Sequence, residues 1–411
     1  MFRIVRTGVI AGVCALLALP AAAETLEEVY RLARDNDALL KSQAAQAGAG
    51  RETANIYRSA LLPQASLNGT RSETETDSKG LRCIHATGYC DNTNTDVEAG
   101  SLDIAQTILN MEAWYDFQQG KKLSEQADAQ YRSDELELLV RVTEAYVRVL
   151  RAIDTYQTAK AQEKAIERQL EQTRQRFDVG LIAITDVQES QATYDSARVD
   201  TLNALGLIGI AFEAVEVLTG QPLERIAPLS KDLPVQMPEP TAQAEWERLA
   251  LENNPDLEVS ALAMDAARAN AKARRAAHLP TITGTFQHSD VDTNTHYHPG
   301  NIEDGTNGDM VALHLNVPLY SGGGISAQRR QAYQQQIAAE EMHTNYIRNA
   351  VQRARSYHLA VTTDIQRVAA QQQAIVSAQS ALDATQAGYE VGTRNIVDVL
   401  DAEQRLYRAK V

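Results

Sequence analysis

Two long stretches without glycine or proline constrain the fold of this chain more than any other feature. One runs from Lys121 to Val179 and the other from Ile325 to Ala387. Because glycine and proline are the residues that most often interrupt a helix, each stretch predicts one continuous α-helix, about 90 Å long at 1.5 Å per residue. In the first stretch, apolar side chains at steps of three and four predict a coiled-coil seam through Leu136, Leu139, Thr143, Tyr146, Leu150 and Ile153.

A glycine-marked turn follows each long helix, and the two turns match one another. The corresponding residues are Phe177 and Tyr389, Gly180 and Gly392, Asp186 and Asp398, and, further upstream, Pro63 and Pro280. Matches at such regular spacing predict an internal tandem repeat. We place the first structural repeat at 24–220, a Pro-rich linker at 221–240 and the second structural repeat at 241–411.

A strand, a polar loop and a second strand are predicted after each Leu-Pro pair. Ile282, Gly284 and Phe286 alternate with polar residues, and so do Val311, Leu313, Leu315 and Val317. The strands of the first repeat are predicted at 64–72 and 96–106, and the polar loops at 73–95 and 289–308. Alternation over about ten residues is typical of membrane β-barrel strands. No later stretch shows the roughly 18 to 20 apolar residues of a spanning helix, so the sequence predicts an α+β protein that crosses a membrane as strands.

The first 23 residues have the pattern of a secretory signal peptide. Arg3 and Arg6 precede an apolar run, and Ala21-Ala22-Ala23 forms a small-residue cleavage site, so we expect residues 1–23 to be removed from an exported protein. The formal net charge of −15 argues against nucleic acid or an anionic membrane face as a partner.

Composition and motifs indicate a helical bundle rather than an enzyme. Only 5% of the residues are aromatic while 44% are hydrophobic. The chain has no motif for a catalytic nucleophile and no convincing set of metal ligands, so we expect no catalysis, no cofactor and no metal. Histidines near the second polar loop are interpreted as solvated: His288, His296, His298 and His314.

Cys83 and Cys90 are the two cysteines that remain once the signal peptide is removed. They lie close together in a polar stretch. In an oxidising compartment a local disulfide is favoured over free thiols, and two thiols alone would leave a zinc site incomplete.

The second repeat stops at Val411, the counterpart of Val199 in the first. We therefore expect the second repeat to be truncated in its last helix. Half of one coiled-coil pair would then lack its partner, which predicts poor assembly of a chain that ends there.

The most specific sequence matches to a known family lie at the two turns and at one strand-to-helix junction. They are 176–188, Pro318-Leu319-Tyr320-Ser321-Gly322-Gly323, and the segment from Ala374 to Lys410. Through them the chain resembles the TolC-type outer-membrane efflux protein family over essentially its whole mature length. The resemblance implies a homotrimer in the cell outer membrane, with four strands from each of three protomers in one 12-stranded barrel and long antiparallel coiled-coil helices around a periplasmic tunnel.

The same resemblance implies a function and its partners. Such channels are exit ducts for multidrug efflux and type I protein secretion. They are recruited by a periplasmic adaptor protein and an inner-membrane transporter of the RND or ABC type. The main alternative is that the chain is itself a periplasmic coiled-coil adaptor, which would lack the paired strand-loop-strand units.

Functional residues are carried over from the family at the turns. The resemblance implies a periplasmic gate in which Tyr389 and Arg394 of the second turn bind Thr185 and Asp186 of the first. It also implies a contact between Gln169 and Gln386, weaker here because Gln386 stands where the family has a glutamate. Asp398 and Asp401 lie one helical turn apart, and in a trimer they would form two rings of about six carboxylates that select cations.

Overall fold

The structure, a computed structural model, describes residues 23–76, 93–230, 235–297 and 300–410. Within these ranges one order of elements, two helices, two strands and two further helices, occurs twice. The first set is α1 (Leu26–Asn36), α2 (Ala38–Ser59), β1 (Gln64–Thr76), β2 (Thr93–Leu109), α3 (Met111–Asp178) and α4 (Ile184–Thr219). The second set is α5 (Gln243–Asn253), α6 (Pro255–Ala276), β3 (Thr281–Tyr297), β4 (Gly300–Asn316), α7 (Gly324–Glu390) and α8 (Ile396–Lys410).

The chain divides into two compact units, and each takes segments from both halves of the sequence. We call one the tip unit; it comprises the residues up to Lys41, Glu135–Pro238 and Ala360–Val411. The other, the sheet unit, comprises Ser42–Asp134 and Glu239–Leu359. The predicted repeat boundaries are a different division and stay a prediction. Cys83 and Cys90 lie outside the described residues.

The sheet unit contains one antiparallel sheet with the strand order β1-β2-β3-β4. Gln64 pairs with Ala105 in the first hairpin, and Thr281 pairs with Asn316 in the second. The two hairpins are joined through β2 and β3, where Phe286 lies opposite Ile104. The outer edges of β1 and β4 carry no strand partner among the described residues.

The predicted alternation of β3 and β4 is confirmed. Phe286 lies opposite Val311, and Ile282 lies opposite Leu315. Because successive side chains of a strand point to opposite faces, these residues share one face with Leu313. Val311, Leu313 and Leu315 are all largely exposed in the single chain. The sheet therefore presents an apolar face that the protomer itself does not cover.

The predicted polar loop at 289–308 is wrong. β3 and β4 continue through it as paired strands, from Ser289 opposite Gly308 to Tyr297 opposite Gly300. The side chains of this segment are polar, but ladder hydrogen bonds satisfy the backbone regardless of side-chain polarity. In the first hairpin, β1 likewise extends to Thr76 and β2 begins at Thr93, so both strands are longer than predicted.

The two long helices are confirmed, and both are longer than predicted. α3 has 68 residues and α7 has 67. α3 begins ten residues before the predicted start because Asn110 caps it, its Oδ1 accepting from the Ala113 amide at 3.0 Å. Gly120 is tolerated inside this helix because the Tyr57 ring packs against it, and a Cβ there would come within 2.6 Å of Tyr57 Cδ2.

The predicted seam of α3 is only partly correct. Tyr146 and Leu150 are buried, but Leu136 and Leu139 are 52% and 42% exposed. The row that packs inside the tip unit is offset from the predicted one and runs through Leu138, Val142, Ala145 and Val149. Leucine and valine lie on both sides of this helix segment, so spacing alone did not identify the face that is buried within the tip unit.

A break at Asp37 separates α1 from α2, where the sequence predicts one helix from Leu26 to Leu40. The Asp37 Oδ1 accepts from the Leu40 amide at 2.6 Å, and its Oδ2 lies 3.1 Å from the Arg141 Nη1. A carboxylate that caps the first turn of a helix and pairs with an arginine stabilises the helix start at that residue.

The expectation that no helix after the signal peptide is long and apolar enough to span a membrane is wrong for α4. A segment of α4 has a mean hydropathy of 1.6, and 28% of that segment is buried. One such helix indicates a membrane span only weakly, since core helices share these properties. Ala204, Ala211 and Val215 of α4 are buried within the tip unit.

Candidate gate at the helical tips

The first turn lies in the tip unit between α3 and α4. Gly180 has a φ of 79°, a left-handed conformation that glycine adopts without steric cost. The Gly180 amide donates to the Phe177 carbonyl at 2.8 Å, and the Leu181 amide donates to the Arg176 carbonyl at 2.9 Å. Together these two bonds satisfy the last carbonyls of α3 and reverse the chain.

The second turn, between α7 and α8, repeats this geometry. Gly392 also has a φ of 79°, its amide donates to the Tyr389 carbonyl at 3.1 Å, and the Thr393 amide donates to the Gly388 carbonyl at 2.9 Å. The matched glycines of the sequence therefore correspond to one backbone motif used twice. Gly388 is needed for a further reason, since a Cβ there would come within 2.8 Å of Arg394 Cγ.

The two returning helices begin differently. At the start of α8, the Asn395 Oδ1 accepts from the Asp398 amide at 2.8 Å, and the Asp398 Oδ2 accepts from the Asn395 amide at 3.4 Å. At the start of α4 the cap residue is Ala183, whose side chain makes no such bond. Asp398 therefore has a structural role in capping α8 that its predicted role as a pore carboxylate did not include.

The four predicted gate residues lie at the two turns, but no hydrogen bond or ion pair joins the two pairs within the described part of one chain. The Thr185 hydroxyl donates to its neighbour Asp186 at 3.4 Å. The Arg394 Nη1 lies 3.8 Å from the Asp398 Oδ2, and the Arg394 side chain is 61% exposed. The gate assignment thus stays a prediction.

Tyr389 contacts the first turn through a residue that sequence analysis missed. The Arg176 guanidinium stacks on the Tyr389 ring, 4.8 Å from its centroid. The same ring packs against the buried cluster of Ile396, Val399 and Leu400 in α8. The Tyr389 hydroxyl is buried and has no hydrogen-bond partner among the described residues. A cation above an aromatic face is attractive, so this stack ties the two turns together within one chain.

Gln169 and Gln386 are not brought together by any hydrogen bond among the described residues. Gln169 is buried on α3, and Gln386 is half-buried on α7. Nearby, α3 and α4 are linked by polar contacts that the sequence did not indicate. The Ser190 hydroxyl lies 3.5 Å from the Thr173 hydroxyl, and the Arg174 guanidinium donates to the Gln191 side-chain oxygen.

An acidic cavity of about 340 Å³ lies in the tip unit, where α3, α4 and α8 meet. Three carboxylates line it: Glu189 and Asp200 from α4 and Asp401 from α8. No lysine or arginine lines this cavity. Carboxylates held close together without a counter-charge attract cations. The structure thus places Asp401 among acidic neighbours that sequence analysis did not identify, while Asp398 is not part of the lining.

A second, smaller cavity of about 130 Å³ contains Glu403 of α8. Its walls are mostly apolar and include Ile166, Leu382 and Leu406, with Lys410 at one side. The Glu403 Oε2 is buried, and no described residue forms a hydrogen bond with it. Burial raises the pKa of this carboxyl from 4.5 to about 7. The one signal in the sequence that could have identified Glu403 is its helical position, on a face that packs against a partner helix.

The residues that the structure describes contain no group of three or more histidine, cysteine, aspartate or glutamate side chains placed to hold a metal ion.

Comparison with known proteins gives a consistent family. The model of a family described as outer membrane efflux protein matches residues 29–221 and 246–411. The chain is 34% identical to the outer membrane protein TolC of Vibrio cholerae serotype O1, over 94% of this chain and 86% of that protein. It is 35% identical to TolC of Escherichia coli K12, over 94% and 78% of the two chains.

A secretion protein and a solved channel are also similar. The alkaline protease secretion protein AprF of Pseudomonas aeruginosa is 30% identical, over 96% of this chain and 81% of that protein. The crystal structure of CusC, which is described as undergoing conformational changes that accompany folding and transmembrane channel formation, has a TM-score of 0.76 at 18% identity, over 93% of this chain and 86% of that one. At that identity the structural similarity shows the fold alone.

We expect folding stability to fall as the pH rises from about 4.5 to about 7, because Glu403 is protonated in the folded protein and must ionise in an apolar cavity. A carboxyl with a raised folded-state pKa contributes stability that is fully present below its unfolded pKa and is lost as the pH rises through the folded value. Glu403→Gln keeps the shape of the side chain but cannot ionise. Its thermal unfolding midpoint, followed by circular dichroism in detergent, should exceed that of the wild type at about pH 8 and differ little at about pH 4.

Glu390→Gln is the matched control, because Glu390 is an exposed glutamate at the end of α7. It should leave the pH dependence of the midpoint unchanged. The role of Glu403 would be contradicted by a Glu403→Gln variant with the pH dependence of the wild type.

Proposed function

Because the chain belongs to the outer membrane efflux protein family, we propose that three copies of it form an outer-membrane channel, the exit duct for multidrug efflux and type I protein secretion. The observation that carries the proposal is the four-stranded sheet with two open edges. β1 and β4 each lack a strand partner on one side within the described ranges. An open sheet edge is too costly in hydrocarbon, so the strands need closure by further copies.

Joining β4 of one copy to β1 of the next repeats a single contact around a symmetry axis. Such a head-to-tail contact forms a closed ring when the rotation closes. With three copies the ring contains four strands from each protomer and becomes the 12-stranded barrel of the family. The apolar face through Phe286, Val311 and Leu313 then faces lipid.

The exposed face of α4 supports the same assembly. Ala197, Ala204 and Ala211 pack inside the tip unit, whereas four apolar side chains remain exposed on the opposite side of the helix: Val199, Leu202, Ile210 and Val217. An apolar stripe of this length in contact with water is unfavourable and indicates a protein partner. We assign it to the interface between neighbouring protomers.

A passive conduit agrees with the similarity to channels and needs no catalytic group. We propose that a periplasmic adaptor protein and an inner-membrane transporter, of the RND or ABC type, recruit the channel. The family description, outer membrane efflux protein, supports efflux as one use of such a duct, and the similarity to the alkaline protease secretion protein AprF supports protein secretion as the other. The paired strands of β1–β2 and β3–β4 argue against the adaptor alternative, which would lack them.

The gate proposal keeps the contacts that the resemblance implies, in which Tyr389 and Arg394 bind Thr185 and Asp186 within and between protomers. Arg394 is well exposed, and its contact with Asp398 is long, so its guanidinium can reach a carboxylate on another chain. Arg176 keeps the Tyr389 ring in place from within the chain. The channel opens when the contacts between protomers break and the helical hairpins move apart.

The selectivity proposal assigns different roles to the two aspartates. Asp401 is exposed and shares the acidic cavity with Glu189 and Asp200, so it contributes most of the cation preference. Asp398 contributes charge while it caps α8. Three copies bring these carboxylates around one axis, which disfavours anions at a narrow opening.

We expect combined replacement of Tyr389 by Phe and Arg394 by Gln to raise single-channel conductance several-fold, because the gate contacts between protomers are lost. Tyr389→Phe keeps the ring that stacks with Arg176 and packs on α8, so the fold of the turn is preserved. Conductance in planar bilayers measures the effect. Arg405→Gln, at an exposed arginine of α8, is the control and should have the conductance of the wild type. Unchanged conductance of the double variant would contradict the gate assignment.

We expect Asp401→Asn combined with Asp398→Asn to bring the ratio of cation to anion permeability close to one, because the carboxylate charge at the opening is removed. Asparagine at 398 can still accept the hydrogen bond that caps α8. Reversal potentials across a salt gradient give the ratio. The control, Asp364→Asn, also removes a carboxylate charge, but from the surface of α7, and should keep the cation preference. An unchanged ratio in the double variant refutes the proposed role.

We expect Ile210→Asp to convert trimers into monomers in detergent, because a charge is buried in the proposed interface without a partner. Mass photometry measures the oligomeric state. Ile210→Leu keeps the apolar area and should stay trimeric. If Ile210→Asp assembles as well as the wild type, α4 does not form the interface.

A further inference from the structure

A groove lined by positively charged residues lies between α6 and α7 in the sheet unit. None of its lining residues is among those assigned to the gate or to cation selectivity. Its main lining residues are Lys272 and Arg275 of α6 and Arg329, Arg330 and Tyr333 of α7, and its volume is about 510 Å³. We call it the basic groove. All five side chains are exposed. On α6, Ala269, Ala273 and Ala276 are buried, whereas Lys272 and Arg275 remain exposed.

The four cations of the basic groove are not neutralised within the described part of the chain. None of them takes part in an ion pair there, whereas neighbouring arginines of α6 do. Arg268 Nε lies 2.9 Å from Glu340 Oε1, and Arg274 pairs with Glu112 and Asp116. Four like charges on two facing helices repel one another, and this occurs in a chain with a net charge of −15. An anion in the groove would relieve that repulsion.

The basic groove lies where the helices meet the strands. Arg275 is in the last turn of α6, shortly before β3 begins at Thr281, and Arg329 and Arg330 are in the second turn of α7. The segment between β4 and α7 carries Leu319 and Tyr320, which are 91% and 89% exposed. Exposed apolar and tyrosine side chains at the ends of spanning strands are typical of the boundary between hydrocarbon and headgroups.

We propose that the basic groove binds the phosphate of an anionic phospholipid, such as phosphatidylglycerol, from the periplasmic leaflet of the membrane. The inference rests on the proposed function, because the strands must span the membrane for the groove to lie at headgroup depth. Arginine side chains bind phosphate oxygens through paired N–H donors, and several of them around one anion favour a net negative headgroup over a zwitterionic one. The Tyr333 ring supplies an amphipathic surface for the glycerol region of the lipid.

The first experiment needs no membrane insertion. The full chain in non-ionic detergent is titrated by calorimetry with dihexanoyl phosphatidylglycerol, with dihexanoyl phosphatidylcholine and with inorganic phosphate. We expect saturable binding of the phosphatidylglycerol, weakened about tenfold or more in the Arg329→Gln, Arg330→Gln double variant because two charge-assisted contacts are lost. Lys272→Gln with Arg275→Gln tests the other wall of the groove and should weaken binding in the same direction.

Arg148→Gln with Arg151→Gln is the matched control, because it removes the same charge from two exposed arginines of α3 that make no ion pair among the described residues. Its affinity should equal that of the wild type. Equal binding of phosphatidylcholine, binding of inorganic phosphate alone, or full binding by both groove variants would overturn the proposal.

A second measurement separates this inference from the proposed function. Single-channel conductance in bilayers containing phosphatidylglycerol reports whether the strands insert and form a channel. Groove variants that conduct normally but retain at least tenfold less phosphatidylglycerol, counted by mass spectrometry after extraction, support the lipid site. A wild-type chain that binds the lipid in detergent but forms no channel would contradict the proposed function and leave the groove as a lipid-binding site. A chain that conducts but shows no lipid preference would contradict the lipid site alone.

Discussion

Hydrogen bonding along the edges of the four-stranded sheet is the constraint on which the rest of this protein depends. β2 and β3 are paired on both sides, while β1 and β4 each have one open edge among the described residues. Exposed N–H and C=O groups cost several kcal/mol each in hydrocarbon, so a sheet of this kind needs further strands before it can reside in a membrane. Asn110 alone separates β2 from α3. The strands that close the sheet therefore also determine what lies next to the start of α3.

Two of the helices likewise have apolar faces that stay exposed in the single chain. α4 buries alanines on one side and leaves Ile210 and Val217 exposed on the other, and α3 does so with Leu136 and Leu139. The hydrophobic effect is non-directional, so these faces need a cover of suitable shape but specify no particular residue as partner. Specific contacts come instead from polar groups, such as Asp37 with Arg141 and Arg176 with Tyr389. Within the chain, these polar contacts fix which residues of the packed elements lie opposite one another.

Local sequence rules predicted what local forces determine. The long helices and the turns marked by Gly180 and Gly392 follow from backbone sterics, and the structure confirms them. The rules failed where tertiary contacts decide. Polar residues at 289–297 and 300–308 form paired strands because the backbone ladder does not depend on side-chain polarity.

At the tips, the positions of Tyr389, Arg394 and the two aspartates were predictable from the repeated turn. The stack of Arg176 on Tyr389 and the burial of Glu403 were not, because each depends on which side chains of a distant helix lie opposite. Asp398 shows a third case. Its hydrogen bonds with Asn395 form a capping pattern that is typical of helix starts, so this role of Asp398 could have been predicted from the sequence.

The two turns have the same backbone but differ in mechanical stiffness. α8 starts with a reciprocal cap between Asn395 and Asp398, whereas α4 starts at Ala183 without one. A side-chain cap of this kind stabilises a first helical turn by about 1 kcal/mol, so the start of α4 frays several times more often than the start of α8. Each protomer therefore carries one compliant and one rigid hairpin end. In the ring of three copies that we propose, the two kinds of end would alternate, so that fraying of helix starts would concentrate at every second hairpin.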